Sequence, residues 1–319
     1  IKYAQVNGLP GYPVFTRKAA TDVSYLAGAA RLLARRDIFY PMFATHNAHT
    51  VAAVLEMAGK NKTGFEFQRL HGMGEPLYHQ ITGFADEGKF PCRVYAPVGS
   101  HQDLLPYLVR RLLENGANSN FVNRLQNDKV PIDDILTDPA DYMASLKEKP
   151  HPKTAPPANI YGPTRKNSAG IEFANPAISA PFLKRVAVAA QDIGALSSFA
   201  SKNEMEAALK TATAAFPGWN GSAASTRANC LMRAADLMEE QMAELVALCV
   251  REGKKTLPDS IAEIREAVDF CRYYAAEGIK HFAAPQALPG PTGEDNTLAL
   301  SGRGVFLCIS PWNFPLAIF

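Results

Sequence analysis

Residues 95–121, YAPVGSHQDLLPYLVRRLLENGANSNF, read as the end of a strand, a polar turn, a helix and the loop that leaves it. Ser100 with Asp103 three residues on is a capping-box start, and Asn115-Gly116 is a helix stop. Within the helix Tyr107, Arg110, Arg111 and Glu114 fall at i, i+3, i+4 and i+7 and share one face. Two neighbouring guanidiniums offer forked donors suited to a carboxylate or a phosphate. Taken alone, the same face reads first as a solvated surface with an intrahelical Arg–Glu pair. The surrounding sequence decides for a ligand.

Outward from this unit, short apolar runs with aromatic and β-branched residues recur at 12–16, 38–44, 64–70 and 92–98. Helical patterns come after each, at 20–33, 48–58 and 76–84 and in the Arg–Arg helix. Alternation of this kind predicts a parallel sheet with right-handed crossovers, and four units are half of an eight-fold β/α barrel. Polar residues collect past each strand: Thr16-Arg17-Lys18, then Thr45-His46-Asn47, then Gln68 and His71, then Tyr95 and Ser100. One such cluster is ordinary turn chemistry. Four in phase mark the C-terminal strand ends where enzymes of this architecture work. His46 and His49 lack an accompanying carboxylate pattern, so no metal is expected. Gly72-Met73-Gly74 is not followed by a phosphate-cradling motif.

Here the residues carry a resemblance. YPVFTRKAATDVSYL, YPMFATHNAHTV, FEFQRLHGMGEPLY and YLVRRLLENGANSNF are similar to the second half of the proline dehydrogenase barrel of the proline utilization A family. That family binds FAD and oxidises L-proline to pyrroline-5-carboxylate. The resemblance implies that Arg110 and Arg111 pair with the proline carboxylate, with Leu70, Tyr95 and Tyr107 shaping the pocket. It places Thr16, Arg17, Lys18, Thr21, Thr45, His46, Asn47, Gln68 and Phe121 along the FAD, with Glu114 on its ribityl or adenosine portion. The assignment suits the chemistry, because hydride loss needs the zwitterion's carboxylate fixed while the flavin supplies the redox step. A lysine and an aspartate that the family carries on earlier strands are not in this sequence, so tight flavin binding by the segment alone is not expected.

Beyond residue 124 the pattern changes. Residues 128–146 are helical in character, with Pro131 suited to a first turn. Prolines crowd 149–170 without periodicity and predict an extended linker. Residues 171–188 are expected to pack on the next domain. Three helices are then predicted, at 202–216 ending on Pro217-Gly218, at 225–252 and at 256–282 with Pro258 in the first turn. Cys249 and Cys271 lie in their apolar stripes and read as small buried residues. After a Pro/Gly-rich turn, 303–309 predict a buried strand running into Ser310-Pro311-Trp312-Asn313-Phe314-Pro315.

FPGW, TRANCLMRAADLMEE, EAVDFCRYYAAEG and GVFLCISPWNFPLAIF resemble the N-terminal part of an aldehyde dehydrogenase. The resemblance implies that Asn313 donates its amide to the oxyanion formed when a thiolate attacks an aldehyde. It implies too that Ile309, Ser310, Pro311 and Trp312 line the nicotinamide side of NAD. An asparagine in a proline turn is otherwise structural. The family's nucleophilic cysteine, general-base glutamate and glycine loop are expected beyond Phe319, and Cys308, inside the predicted strand, is not the nucleophile.

Composition sets the outer limits. Of 319 residues, 47% are hydrophobic and 20% charged, as in a globular protein. A net charge of +2 gives no electrostatic case for nucleic acid. Five cysteines without CxxC spacing argue against zinc and a disulfide framework and suit a reducing cytoplasm. Both ends read as cut, so the chain is expected to be a segment of a longer protein. The expected architecture is α/β. It comprises the C-terminal half of a (β/α)8 proline dehydrogenase barrel at 1–124 and a helical, Pro-rich linker at 125–184. The helical front of an aldehyde dehydrogenase Rossmann-type domain comes next, at 185–319. By resemblance the whole oxidises L-proline with FAD and glutamate γ-semialdehyde with NAD. The resemblance further implies that electrons pass to a membrane quinone through peripheral association and that the enzyme is a homo-oligomer. Two other classes stay open, a phosphate-binding barrel fused to an unrelated dehydrogenase and a non-catalytic repressor. The repressor's DNA-binding element is not in this sequence.

Overall fold

The structure, a computed structural model, describes residues 1–83, 90–116, 131–194 and 199–318. The chain separates into two compact units, Phe15–Thr154 on the one hand and Ile1–Val14 with Ala155–Phe319 on the other. The opening helix α1 (Lys2–Val6) therefore belongs to the second unit.

In the unit Phe15–Thr154, α2 (Lys18–Leu33), α3 (Ala48–Ala58), α4 (Glu75–Gly83) and α5 (His101–Gly116) alternate with β1 (Met42–Ala44), β2 (Glu66–Leu70) and β3 (Cys92–Tyr95). The strands form one parallel sheet in the order β1-β2-β3, with Ala44 beside Gln68 and Leu70 beside Tyr95. Strand side chains alternate. Phe43, Phe65 and Phe67 bury one face with Val51, Val54 and Tyr78, their rings meeting edge-on or tilted at 5.8 to 6.3 Å. The other face carries Met42, Gln68, Leu70, Arg93 and Tyr95, and it is the polar one. Local signals set the helix ends: Asn47 Oδ1 accepts the His49 N–H at 3.0 Å, and Gly59 closes α3 with φ 62°.

Three of the four expected strands form. Residues 12–16 carry no strand pairing among the described residues. Pro13 lacks an N–H for a ladder, and the Tyr12 hydroxyl is spent on Gln5 and on the Ala155 carbonyl at 2.6 Å. The helix expected over 128–146 is two short ones, α6 (Ile132–Leu136) and α7 (Pro139–Ser145), the latter capped by Asp138 and packed on α2. Its first residues, and Phe84 of the third expected helix, lie outside the described residues.

The second unit is helical: α8 (Pro176–Asp192), α9 (Lys202–Asn220), α10 (Ala224–Glu240), α11 (Met242–Gly253) and α12 (Leu257–Phe282). The helix expected over 225–252 is broken at Gln241, where φ −102° and ψ 23° leave the helical basin, and α9 runs through Pro217 to Asn220. Ala235, Met242, Val246, Ile264 and Val268 form the core, with Phe182 and Val186 of α8. Cys249 is buried and Cys271 half-buried in this packing. The proline-rich stretch is anchored rather than free. Pro157–Asn159 make a 3₁₀ turn, Asn167 donates to Gln5 O and Pro157 O, and Ser168 is enclosed against Asp269.

Residues 303–309 are the second strand that does not form among the described residues. Leu307, Cys308 and Ile309 are exposed, so the expectation of a buried Cys308 also fails. A strand without a partner has no ladder to satisfy its backbone. The pairing that does form nearby is the antiparallel hairpin of β4 (Gln286–Leu288) and β5 (Asn296–Leu298) around the Pro/Gly turn. No helix of the described residues is long and apolar enough to cross a membrane.

Candidate functional sites

The first candidate lies at the C-terminal ends of β1–β3. His46 lies just past β1, and its Nε2 accepts the Leu70 N–H from the end of β2 at 3.1 Å, which leaves the ring proton on Nδ1. Burial lowers the His46 pKa, with the charges of Glu114, Arg111 and Arg69 also felt there, so the ring is neutral at pH 7. Thr45 is held by its carbonyl, which accepts the Tyr78 hydroxyl at 2.7 Å. On the polar face Gln68 donates to Glu66 Oε1 at 2.9 Å, while Arg93 grips both oxygens of Glu66 at 2.8 and 2.9 Å. That fork, with Gln68, draws the Glu66 carboxyl down to about 2.

Helix α5 turns its polar side inward. Tyr107, Arg111 and Glu114 are half-buried, while Leu108, Leu112 (73% exposed) and Leu113 point to solvent. Arg111 pairs with Glu114 at 2.6 Å, lies 5.2 Å over the Tyr107 ring, and keeps a buried Nε with no hydrogen-bond partner among the described residues. Since Arg111 and Glu114 act on His46, this face looks toward the end of β1. Arg110 is exposed beside it, and Tyr95 is exposed at the end of β3.

A separate cleft of about 870 Å³ is lined by Thr16, Arg17, Lys18, Asp22, Asn47 and His49 together with Asp134, Tyr142 and His151. Arg17 Nε donates to the carbonyls of Lys149 and Pro150 at 3.0 and 3.2 Å, and Thr16 Oγ1 accepts the His151 N–H at 2.9 Å. Lys18 is paired with Asp22 at 2.7 Å, and Thr21 is exposed on the same helix. Of the expected cofactor residues, the structure thus gathers Thr16, Arg17, Lys18 and Asn47 in the cleft. Thr45, His46, Gln68 and Leu70 collect at the strand ends, and Phe121 lies outside the described residues. The donor set suits a polyanionic dinucleotide, and the orphaned Arg111 Nε suits an anionic partner, so these residues fit the flavin that the resemblance implies. The Glu66–Arg93 pair went unread in the sequence, because 27 residues separate its partners.

The second candidate is the 309–315 segment. Phe314 N–H closes a turn on Pro311 O at 3.0 Å, and Asn313 presents its amide to solvent. Ile309 (80% exposed) and Trp312 (84%) offer flat apolar surface, with Pro311 exposed and Ser310 half-buried between them. These residues fit one wall of a nicotinamide site. Lys255 and Glu263, which hold this turn from below, carried no signal in the sequence.

Comparison with known proteins adds to this geometry. A proline dehydrogenase family model matches residues 1–124, and an aldehyde dehydrogenase family model matches 182–319. Bifunctional protein PutA of Escherichia coli is 45% identical across all of this chain, which covers 26% of that protein. The 1-pyrroline-5-carboxylate dehydrogenase of Anoxybacillus flavithermus is 39% identical over 119 residues, 37% of this chain and 23% of the relative. A crystal structure of bifunctional proline utilization A superposes with a TM-score of 0.89 at 52% identity, over the whole chain and 32% of that structure. The chain therefore spans about a quarter of the length of the curated relatives that match it throughout.

Proposed function

Since the chain joins proline dehydrogenase family sequence to aldehyde dehydrogenase family sequence in one PutA-type chain, we propose that it serves the two-step oxidation of L-proline to L-glutamate. The first step converts L-proline to pyrroline-5-carboxylate, and the second oxidises the hydrolysed product, glutamate γ-semialdehyde. The succession of the two families along a chain 45% identical to PutA throughout carries the reading.

In the first step FAD, when bound, supplies the hydride acceptor. Arg110 and Arg111 hold the proline carboxylate, with Leu70, Tyr95 and Tyr107 around the ring of the substrate. Support comes from the half-buried position of Arg111 and its buried Nε, which has no hydrogen-bond partner among the described residues. Thr16, Arg17, Lys18, Thr21, Thr45, His46, Asn47, Gln68, Glu114 and Phe121 hold the cofactor. In the second step Asn313 donates its amide to the oxyanion, and Ile309, Ser310, Pro311 and Trp312 face NAD. The division into a barrel portion at 1–124, a linker at 125–184 and a dehydrogenase portion at 185–319 belongs to the same proposal. So do a cytoplasmic, homo-oligomeric enzyme and peripheral delivery of electrons to a membrane quinone, all of which rest on family resemblance.

The test uses the intact protein. Proline-dependent dye reduction and semialdehyde-dependent NADH formation are both expected, with flavin released on denaturation. A protein that shows neither activity overturns the proposal, and reduction of a soluble quinone only, with none in vesicles, overturns the membrane step.

A further inference from the structure

Neither cofactor assignment uses the buried carboxylate of Glu263, whose side chain is 0% exposed in α12. Its Oε2 pairs with Lys255 Nζ at 2.5 Å, and its Oε1 accepts the N–H groups of Leu316 and Ala317 at 2.9 and 2.8 Å. Lys255 Nζ also donates to the Asn313 carbonyl at 2.9 Å and stands 5.3 Å from the centre of the Phe314 ring. One ion pair therefore holds the backbone of 313–317 at both ends. Burial by itself would raise the Glu263 carboxyl, but Lys255 and the two amides outweigh it and keep the group below the ordinary range, hence ionised. Delivering Lys255 has a cost: Lys254 before it sits at φ 53°, a left-handed conformation that disfavours a side chain. A buried charge and a strained turn persist only where surrounding contacts over-determine them.

We propose that Lys255 and Glu263 are positioning residues for Asn313, fixing the backbone on both sides of the amide that meets the oxyanion. The inference rests on the oxyanion reading of Asn313. The Asn313 side chain is exposed, so no packing sets its place. Only the anchored main chain does. Displacing a donor by about 1 Å costs roughly 100-fold in rate, and the contacts from α12 prevent that displacement.

A double-mutant cycle in the intact enzyme tests this. Lys255→Met is expected to lower kcat for semialdehyde oxidation roughly 10- to 100-fold, with KM changed less than about 3-fold and proline oxidation retained. Combined with Asn313→Ala, the same substitution is expected to cost less than about 2-fold more, because the donor it positions is gone. Glu263→Gln keeps the size and an acceptor oxygen. It should act in the same direction and takes the place of Lys255→Met if that variant fails to fold. A loss of equal size in both backgrounds, or no loss of kcat in either variant, overturns the positioning role while leaving the oxyanion reading intact. Unimpaired oxidation by Asn313→Ala overturns the oxyanion reading and the inference with it.

Discussion

Arg111 and Glu66 show how differently a half-buried and a buried charge can be used. Arg111 is half-buried with a carboxylate neighbour and an Nε that has no partner among the described residues, so it retains donor capacity for a ligand. Arg111→Ala should raise the KM for proline roughly 10- to 100-fold, the value of a charge-assisted hydrogen bond, with bound flavin kept; an unchanged KM defeats the carboxylate clamp. Glu66 has its acceptors filled by Arg93 and Gln68 and acts in the fold. Its folded pKa of about 2 lies below its ordinary 4.5. The stability it contributes is therefore full above 4.5 and is lost as pH falls toward 2. Thermal midpoints of wild type and Glu66→Gln should differ most at neutral pH and converge as the medium is acidified; a constant gap removes the assignment.

Helices α2 to α5, α9 and α12 obey local periodicity and lie where the sequence predicts them, whereas α8 carried no helix prediction and the helix expected over 225–252 is two, α10 and α11, parted at Gln241. The two strands that failed, over 12–16 and 303–309, had the composition of strands but no neighbour to pair with among the described residues. Between α1 and the proline-rich stretch, a crossing of two main chains sets the geometry. Gly170 N–H donates to Gly8 O at 2.8 Å, and a Cβ on Gly8 would sit 2.0 Å from Ser168 O. Gly8 also has φ 58°. Gly8→Ala should thus lose more than the ~1–2 kcal/mol of a left-handed residue alone. Gly162→Ala, with φ 62° and open space around it, should lose only that. Equal losses in denaturant titration would show that the crossing is loose.

Across the chain, each candidate site is built within one of the two compact units. Arg111→Ala should accordingly spare semialdehyde oxidation, and Asn313→Ala should lower it roughly 100- to 1,000-fold, the effect of removing one oxyanion donor, while proline oxidation continues. Parallel loss of both activities in either variant contradicts two separate sites. Helix periods, caps and the polar residues behind β1, β2 and β3 were legible in the sequence, because each depends on residues within a few positions of one another, whereas Thr16-Arg17-Lys18 follow no strand among the described residues. The inward polar face of α5, the Glu66–Arg93 fork and the Lys255–Glu263 hold on the Asn313 turn were decided only by tertiary structure. In the fork and in the hold, the partners lie 27 to 58 residues apart, and a buried charge or an unpaired strand is stabilised by what the fold brings beside it, which no local pattern records.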